Sequence, residues 1–193
     1  MKKIPFLIFI SIITYSCKAQ IVPVENLYEY LEAEEGVPEG TTYIKDVNNL
    51  FDEFLGTLLL QNDNKNYTFI INKTTKTFSS GTLKDLLVIK YKIEDLDGTI
   101  LYDTTLLPDD DLKNMQGRYF LEGGDTYLAT FFGPNFNCGE YADIIMYIDG
   151  SSLSGNQLVF HLRPNPKIVA PSECNESWEW SFPKTTYLTF TKQ

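Results

Sequence analysis

Residues 85–94 read DLLVIKYKIE, and this stretch decides the fold class. Apolar side chains occupy every second position, and charged side chains stand between most of them. Successive side chains of a β-strand point to opposite faces, so this alternation indicates a strand with one buried face. A helix would instead repeat its apolar residues at intervals of three and four. The predicted buried face consists of Leu87, Ile89, Tyr91 and Ile93.

The same period of two recurs along most of the chain. Asn-Asp-Asn, Asp-Gly and Gly-Gly turn signals separate the apolar runs, and the runs lie too close together to hold helices between them. Short strands joined by tight turns form antiparallel sheets, and eight to ten of them in one domain predict a barrel or a sandwich. The candidate strands are 57–61, 66–72, 85–94, 99–106, 117–122, 125–132, 141–148, 157–163 and 186–191, with a further one at 75–80.

Residues 46–55, DVNNLFDEFL, are the clearest departure from this pattern. Their apolar residues recur at helical spacing, Asp46 suits an N-cap, and Gly56 suits a helix stop. We predict a short helix here that covers one end of the β-structure. A second acidic stretch, Glu25 to Glu35, suggests a helical turn or two. The apolar stripe of the predicted helix is Val47, Leu50, Phe51, Phe54 and Leu55.

Composition excludes several classes of protein. The chain has 193 residues, is 43% hydrophobic and carries a formal charge of −10. This length suits one domain, and the acidic balance argues against a nucleic-acid partner.

The motifs that could carry chemistry are weak. Asp109–Asp111 lack the spacing of a calcium loop, and His161, the one histidine, has no nucleophile motif near it. We therefore expect no catalytic residue, no metal and no cofactor.

The N-terminus resembles an export signal. Residues 1–16 combine two lysines with an apolar stretch too short to span a bilayer. Ser16–Cys17 fits a lipobox junction, whereas Cys17–Ala19 fits an ordinary cleavage site, which would give a secreted protein. We favour the lipobox, because the string SCKAQ resembles the start of Bacteroidetes lipoproteins. The expected product is anchored to a membrane through lipid on Cys17, in the envelope of a Gram-negative bacterium, on the periplasmic or surface face of the outer membrane.

The remaining cysteines are expected to pair. Cys17 is lipidated or removed under either cleavage, which leaves Cys138 and Cys174 in an oxidising compartment. Neither belongs to a C-x-x-C motif, so a structural disulfide is favoured over a metal or redox site. The predicted organisation is a signal peptide at 1–16, a lipid-anchored spacer at 17–42 and one β-domain at 43–193.

Several motifs resemble a known family. Phe54-Leu55-Gly56-Thr57 is similar to the start of the first strand in calycins, the lipocalin and fatty-acid-binding barrels, with Leu58 where those proteins carry Trp. A longer match over residues 17–193 resembles uncharacterised lipocalin-like lipoproteins of flavobacteria. The resemblance implies an all-β, single antiparallel, lipocalin-like β-barrel in the cell envelope, and it implies no activity. The longer match rests on Tyr43–Asn48, Phe54, Gly56–Thr57, Asp97–Thr99, Leu107–Pro108, Cys138–Gly139 and Pro171–Cys174.

Three functional classes follow from these patterns. The first is a module that binds a small apolar or amphipathic ligand inside the barrel or at its mouth, because the chain is 14% aromatic. The second is a structural, interaction or inhibitor lipoprotein with a filled core. An enzyme comes third. Arg118 and Arg163 are the cations that would have to reach the site of an anionic ligand. The candidate ligand-binding residues are Tyr91, Tyr102, Phe120, Phe131, Phe160, Trp178 and Trp180.

Lipidation of Cys17 can be tested directly. A diacylglyceryl cysteine carries two acyl chains, which suffice for stable membrane attachment where one chain gives only marginal binding. Mass spectrometry of the mature protein should therefore find Cys17 as a modified N-terminus. A mature chain that begins with unmodified Gln20 would contradict the prediction.

Overall fold

Strands are the main regular element of the described chain. The computed structural model describes residues 20–150, 157–165, 174, 178–183 and 187–192. The strands are β1 (Gln20–Pro23), β2 (Thr41–Lys45), β3 (Gly56–Asn62), β4 (Lys65–Thr77), β5 (Leu83–Asp95), β6 (Ile100–Asp103), β7 (Met115–Phe120), β8 (Thr126–Phe132), β9 (Tyr141–Ile148), β10 (Gln157–Pro164) and β11 (Leu188–Lys192). The helices are α1 (Leu27–Glu32) and 3-10 turns at Val24–Asn26, Leu50–Glu53 and Phe136–Cys138.

Eight strands close into an antiparallel barrel. Around the ring they follow the order β5, β4, β3, β11, β10, β9, β8 and β7, and β7 pairs back onto β5. The closing pairing is short, with Val88 opposite Gln116 and Ile89 opposite Met115. The predicted all-β antiparallel barrel is confirmed, and the nine candidate strands correspond to β3–β11. The stretch proposed as a further strand, 75–80, lies partly within the end of β4.

Strand β5 carries three successive partners on the edge opposite β4. It pairs with β2 at Leu83, with β7 near Val88 and with β6 near Ile93. The pairing with β2 is parallel, as is the pairing of β1 with β2. Neither parallel pair was predicted, because β1 and β2 are four and five residues long and carry little periodic signal. They extend the sheet outside the closed ring.

The segment expected to be a spacer packs against the barrel where the structure describes it. Val22, Val24 and Leu27 are at most 3% exposed and belong to the main hydrophobic core. Helix α1 lies in the acidic stretch where a turn or two of helix was suggested. Residues 20–42 are therefore part of the folded domain, because burying these three side chains removes substantial apolar surface from water.

The helix predicted over 46–55 is wrong in length. Only the 3-10 turn Leu50–Glu53 forms, because Asn49 adopts a left-handed backbone conformation, with φ at 56°. The Asp46 carboxylate accepts the N–H of Leu50 at 2.8 Å and of Phe51 at 3.4 Å, and it pairs with Lys73 at 2.8 Å. The turn covers a barrel end, as predicted, because Phe51 stacks on Phe120 with ring centroids 5.4 Å apart.

The closing seam of the barrel gives a stability prediction. A Cβ atom on Gly117 would lie 2.5 Å from the carbonyl oxygen of Leu87, so the backbones of β5 and β7 would have to separate. We expect Gly117→Ala to lower the free energy of unfolding by about 1–3 kcal/mol, the usual cost of overpacking. Urea unfolding followed by tryptophan fluorescence measures the change.

Gly150→Ala is the matched control, because nothing lies within 4 Å of an added Cβ there. We expect this substitution to change the free energy of unfolding by less than about 0.5 kcal/mol. Equal effects of the two alanine substitutions would show that close approach at the seam is unimportant.

Candidate ligand-binding site

Aromatic side chains fill much of the barrel interior. Tyr91, Phe120, Phe131 and Phe160, four of the candidate ligand-binding residues, are at most 1% exposed. Each of them contacts another buried ring at a centroid distance of 4.9–5.8 Å, the range of favourable aromatic pairs. Burial raises the pKa of the Tyr91 hydroxyl, so it stays neutral in this core. The structure places these four residues in core packing.

Each barrel end receives aromatic side chains from a non-strand segment. At one end, Phe51 and Phe54 lie against Phe120 and Tyr127. At the other end, Phe182 contacts several barrel rings and is 2% exposed. Both ends are therefore covered by apolar rings, and Leu58, which stands where calycins carry Trp, is fully buried. The rings in contact with Phe182 are Tyr67, Phe69, Tyr91 and Phe131.

The loop that carries Phe182 is held by a buried carboxylate. Glu140 is 0% exposed and accepts the N–H of Asn135 at 2.8 Å and the N–H of Ser181 at 2.5 Å. The predicted disulfide between Cys138 and Cys174 is confirmed, with Cα atoms 4.9 Å apart. Glu140 and the disulfide fix the same loop from two sides.

A small pocket of about 250 Å³ opens at this end of the barrel. Tyr102 and Trp180 are the candidate ligand-binding residues that line it, together with Lys65 and Asn135. Tyr102 stacks on Tyr91 at 5.3 Å. Trp178 stands beside Trp180, with ring centroids 6.1 Å apart. Two of the seven predicted ligand-binding residues thus meet at one pocket.

A larger groove of about 860 Å³ lies outside the barrel. We call it the N-terminal groove, because the segment from α1 to β2 forms one wall and the β4–β5 hairpin with β7 forms the other. Its lining is mostly apolar, and Leu31 and Phe78 are half-exposed on opposite walls. The apolar lining is Leu27, Leu31, Val37, Pro38, Ile44, Phe78 and Tyr119.

Two cations line the N-terminal groove. Lys84 on β5 donates a hydrogen bond to the carbonyl oxygen of Arg118 on β7. Burial, together with the charge of Arg118, lowers the pKa of Lys84 to about 8. The Arg118 guanidinium lies 3.5 Å from Asp143 and packs over the Tyr119 ring. Arg118 occupies a bulge in β7, so its side chain does not follow the regular alternation between the two faces of the strand.

The motifs considered for chemistry have ordinary surroundings. Asp109 pairs with Lys90 at 2.9 Å, and His161 stacks on Tyr187 at 4.6 Å. Within the described residues, no group of three or more metal-ligating side chains converges. The same residues include no helix that is both long and apolar enough to cross a membrane. Cys17, the candidate lipidation residue, lies outside the described part of the chain.

Comparison with known proteins identifies a family. A family model described as a family of unknown function, DUF6705, matches residues 1–193. The chain belongs to DUF6705. No curated protein and no solved structure matches it. The closed eight-stranded barrel is compatible with the lipocalin-like fold that the sequence motifs implied, and it gives this DUF6705 member an architecture without an assigned activity.

Sequence reasoning missed the N-terminal groove. Its walls come from β2 and α1, which are too short to show a pattern, and from an overhang of the β4–β5 hairpin beyond the ring. From the sequence, Arg118 was proposed only as a cation that an anionic ligand would require, and Lys84 was not identified. The signal for the groove in the sequence was the hairpin turn FSSGT at 78–82. This turn joins the ends of β4 and β5 that extend beyond the neighbouring strands of the barrel.

The role of Glu140 gives a testable prediction for this DUF6705 member. Glu140→Gln replaces one acceptor oxygen by a donor, so the N–H of Asn135 or of Ser181 loses its partner. We expect a loss of about 1.5–3 kcal/mol in the free energy of unfolding, because the lost bond is to a charged acceptor. Amide hydrogen exchange should accelerate at Ser181.

Glu179→Gln is the control, because Glu179 lies on the same loop with an exposed side chain. This substitution should leave both the exchange rate and the stability unchanged. Unchanged exchange at Ser181 in Glu140→Gln would mean that the carboxylate does not hold the loop.

Proposed function

We propose that this protein is a non-enzymatic binding protein of the cell envelope, attached through lipid on Cys17, and that it takes up a small amphipathic molecule. The N-terminal groove is the proposed site, in place of the barrel interior considered from the sequence. One observation carries this choice. The groove offers about 860 Å³ with apolar walls, whereas aromatic side chains occupy the barrel interior.

The groove has the features of a small-molecule site. Ligand pockets are typically concave, mostly apolar and a few hundred to about 1,000 Å³ in volume, with few polar groups. Here the apolar walls supply affinity, and the two charged groups, Lys84 and Arg118, lie at the β5–β7 side. The walls are firmly packed, because two of the lining residues, Leu27 and Ile44, also belong to the hydrophobic core. The site is therefore largely preformed, which limits the entropy lost on binding.

A structural or interaction lipoprotein is the second candidate function. The filled barrel favours it, because such a core needs no ligand for stability. Under this alternative the groove would not retain small molecules. Binding of a neutral apolar probe discriminates between the two functions.

Binding of Nile red, a neutral dye that fluoresces in apolar surroundings, tests the proposed site. We expect saturable binding to residues 20–193, which include all described strands and the described core. Leu31→Gln should weaken binding about tenfold, because it removes an apolar wall contact worth about 1.4 kcal/mol.

Leu96→Gln provides a matched control, since Leu96 is 53% exposed and Leu31 is 51% exposed, and Leu96 does not line the groove. This variant should bind Nile red as the parent does. Absence of saturable binding, or equal weakening by both substitutions, would overturn the proposed function in favour of the interaction protein.

A further inference from the structure

Lys84 contrasts with three other lysines of the sheet in its electrostatic partners. Lys73, Lys90 and Lys92 each pair with a carboxylate at 2.8–2.9 Å. Within the part of the chain that the structure describes, Lys84 forms no ion pair. Its ammonium contacts the carbonyl oxygen of Arg118 and lies 5.9 Å from the centre of the Phe78 ring. An acidic protein thus leaves a cation uncompensated inside an apolar groove.

The groups facing Lys84 add positive charge. On β4, Lys76 stands directly opposite Lys84 in the strand register and donates to Gln116 at 2.6 Å. On β7, Arg118 lies beside it, with Asp143 as its carboxylate neighbour at 3.5 Å. On β2, the register partner of Lys84 is the apolar Ile44. Among these facing groups, the carboxylate of Asp143 pairs with Arg118 and not with Lys84.

Such an arrangement is costly for the free protein. Burial and a neighbouring like charge both disfavour the ammonium form, and the pKa of Lys84 falls to about 8 for these two reasons. A bound anion would reverse both effects, because it supplies the missing countercharge in a partly desolvated site. Lysine provides a point charge and arginine provides a planar fork of donors, a combination suited to carboxylate or phosphate oxygens.

We propose that Lys84 and Arg118 bind the negatively charged head group of an amphiphile whose apolar tail lies along the N-terminal groove. This inference rests on the proposed function and specifies the chemistry of its ligand. The head lies at the β5–β7 wall, and the tail contacts Leu31, Phe78 and Tyr119. Carboxylate and phosphate heads share the required chemistry, so both are used as probes.

Calorimetry on residues 20–193 with four twelve-carbon probes tests the proposal. The probes are dodecanoate, dodecyl phosphate, dodecanol and dodecyltrimethylammonium, with the three ionic probes below their micelle concentrations and dodecanol below its solubility limit. We expect both anions to bind at least about tenfold more tightly than dodecanol, and the cation to bind most weakly. The ratio of the two anions shows which head group fits better.

Substitutions assign the effect to the two cations. Lys84→Gln and Arg118→Gln should each reduce the affinity for the anions about tenfold and change the affinity for dodecanol by much less. Lys92→Gln is the control, because it makes the same charge change on the same strand outside the groove. Weakening by Lys92→Gln as large as by Lys84→Gln would point to overall charge and overturn the assignment.

The pH dependence provides an independent readout. Anions prefer the ammonium form of Lys84, so their affinity should fall as the pH rises through about 8 and above. Lys84→Gln should abolish this fall, and dodecanol binding should not show it. Anions that bind no better than dodecanol would overturn the head-group proposal while the groove remains a binding site. If no probe binds, the proposed function fails as well.

Discussion

The architecture depends on strand β5, because both of its edges are paired. One edge runs along β4 for thirteen residue pairs, and the other edge is divided among β2, β7 and β6. Only two register pairs join β5 to β7, and they close the ring. This short seam forces the backbones together at Gly117, where a side chain would meet Leu87. It also leaves the start of β5 outside the barrel, free to pair with β2 and to carry one wall of the N-terminal groove.

Filling the barrel then decides where binding can occur. An eight-stranded barrel is just wide enough for its side chains to fill or for one small ligand. Here large aromatic residues point inward, and non-strand segments add Phe51, Phe54 and Phe182 at the two ends. Such a core is close-packed, and it gains stability from ring contacts rather than from a ligand. A site for a small molecule is therefore more readily built outside the ring, where the strand overhang and the N-terminal segment form a concave surface.

The sequence predicted the parts of the fold that obey local periodicity. Alternation in 85–94 and in eight further runs predicted the eight barrel strands and β6, and cysteine number and expected compartment predicted the Cys138–Cys174 pair. The length of the helix predicted at 46–55 was overestimated. The apolar residues do recur at helical spacing, but the left-handed backbone of Asn49 prevents a continuous helix. The groove could not be predicted, since it depends on the parallel pairing of β1, β2 and β5. Periodicity within a strand carries no information about which distant strand it joins. Burial of Lys84 follows from the pairing of β2 with β5, so it could not be predicted from the sequence either.

Chain geometry links the proposed anchor to the proposed site. Gln20 begins β1 and pairs with Thr41, which lines the N-terminal groove. Three residues of chain span at most about 11 Å, so Cys17 lies within that distance of Gln20 in any conformation. If Cys17 is lipidated as proposed, the groove therefore lies close to the bilayer surface. Amphiphiles are concentrated there, and a site that faces the membrane needs less intrinsic affinity to be occupied. The acidic surface of the protein repels anions from most directions. Lys84 and Arg118 then offer local attraction at the side where such ligands would arrive.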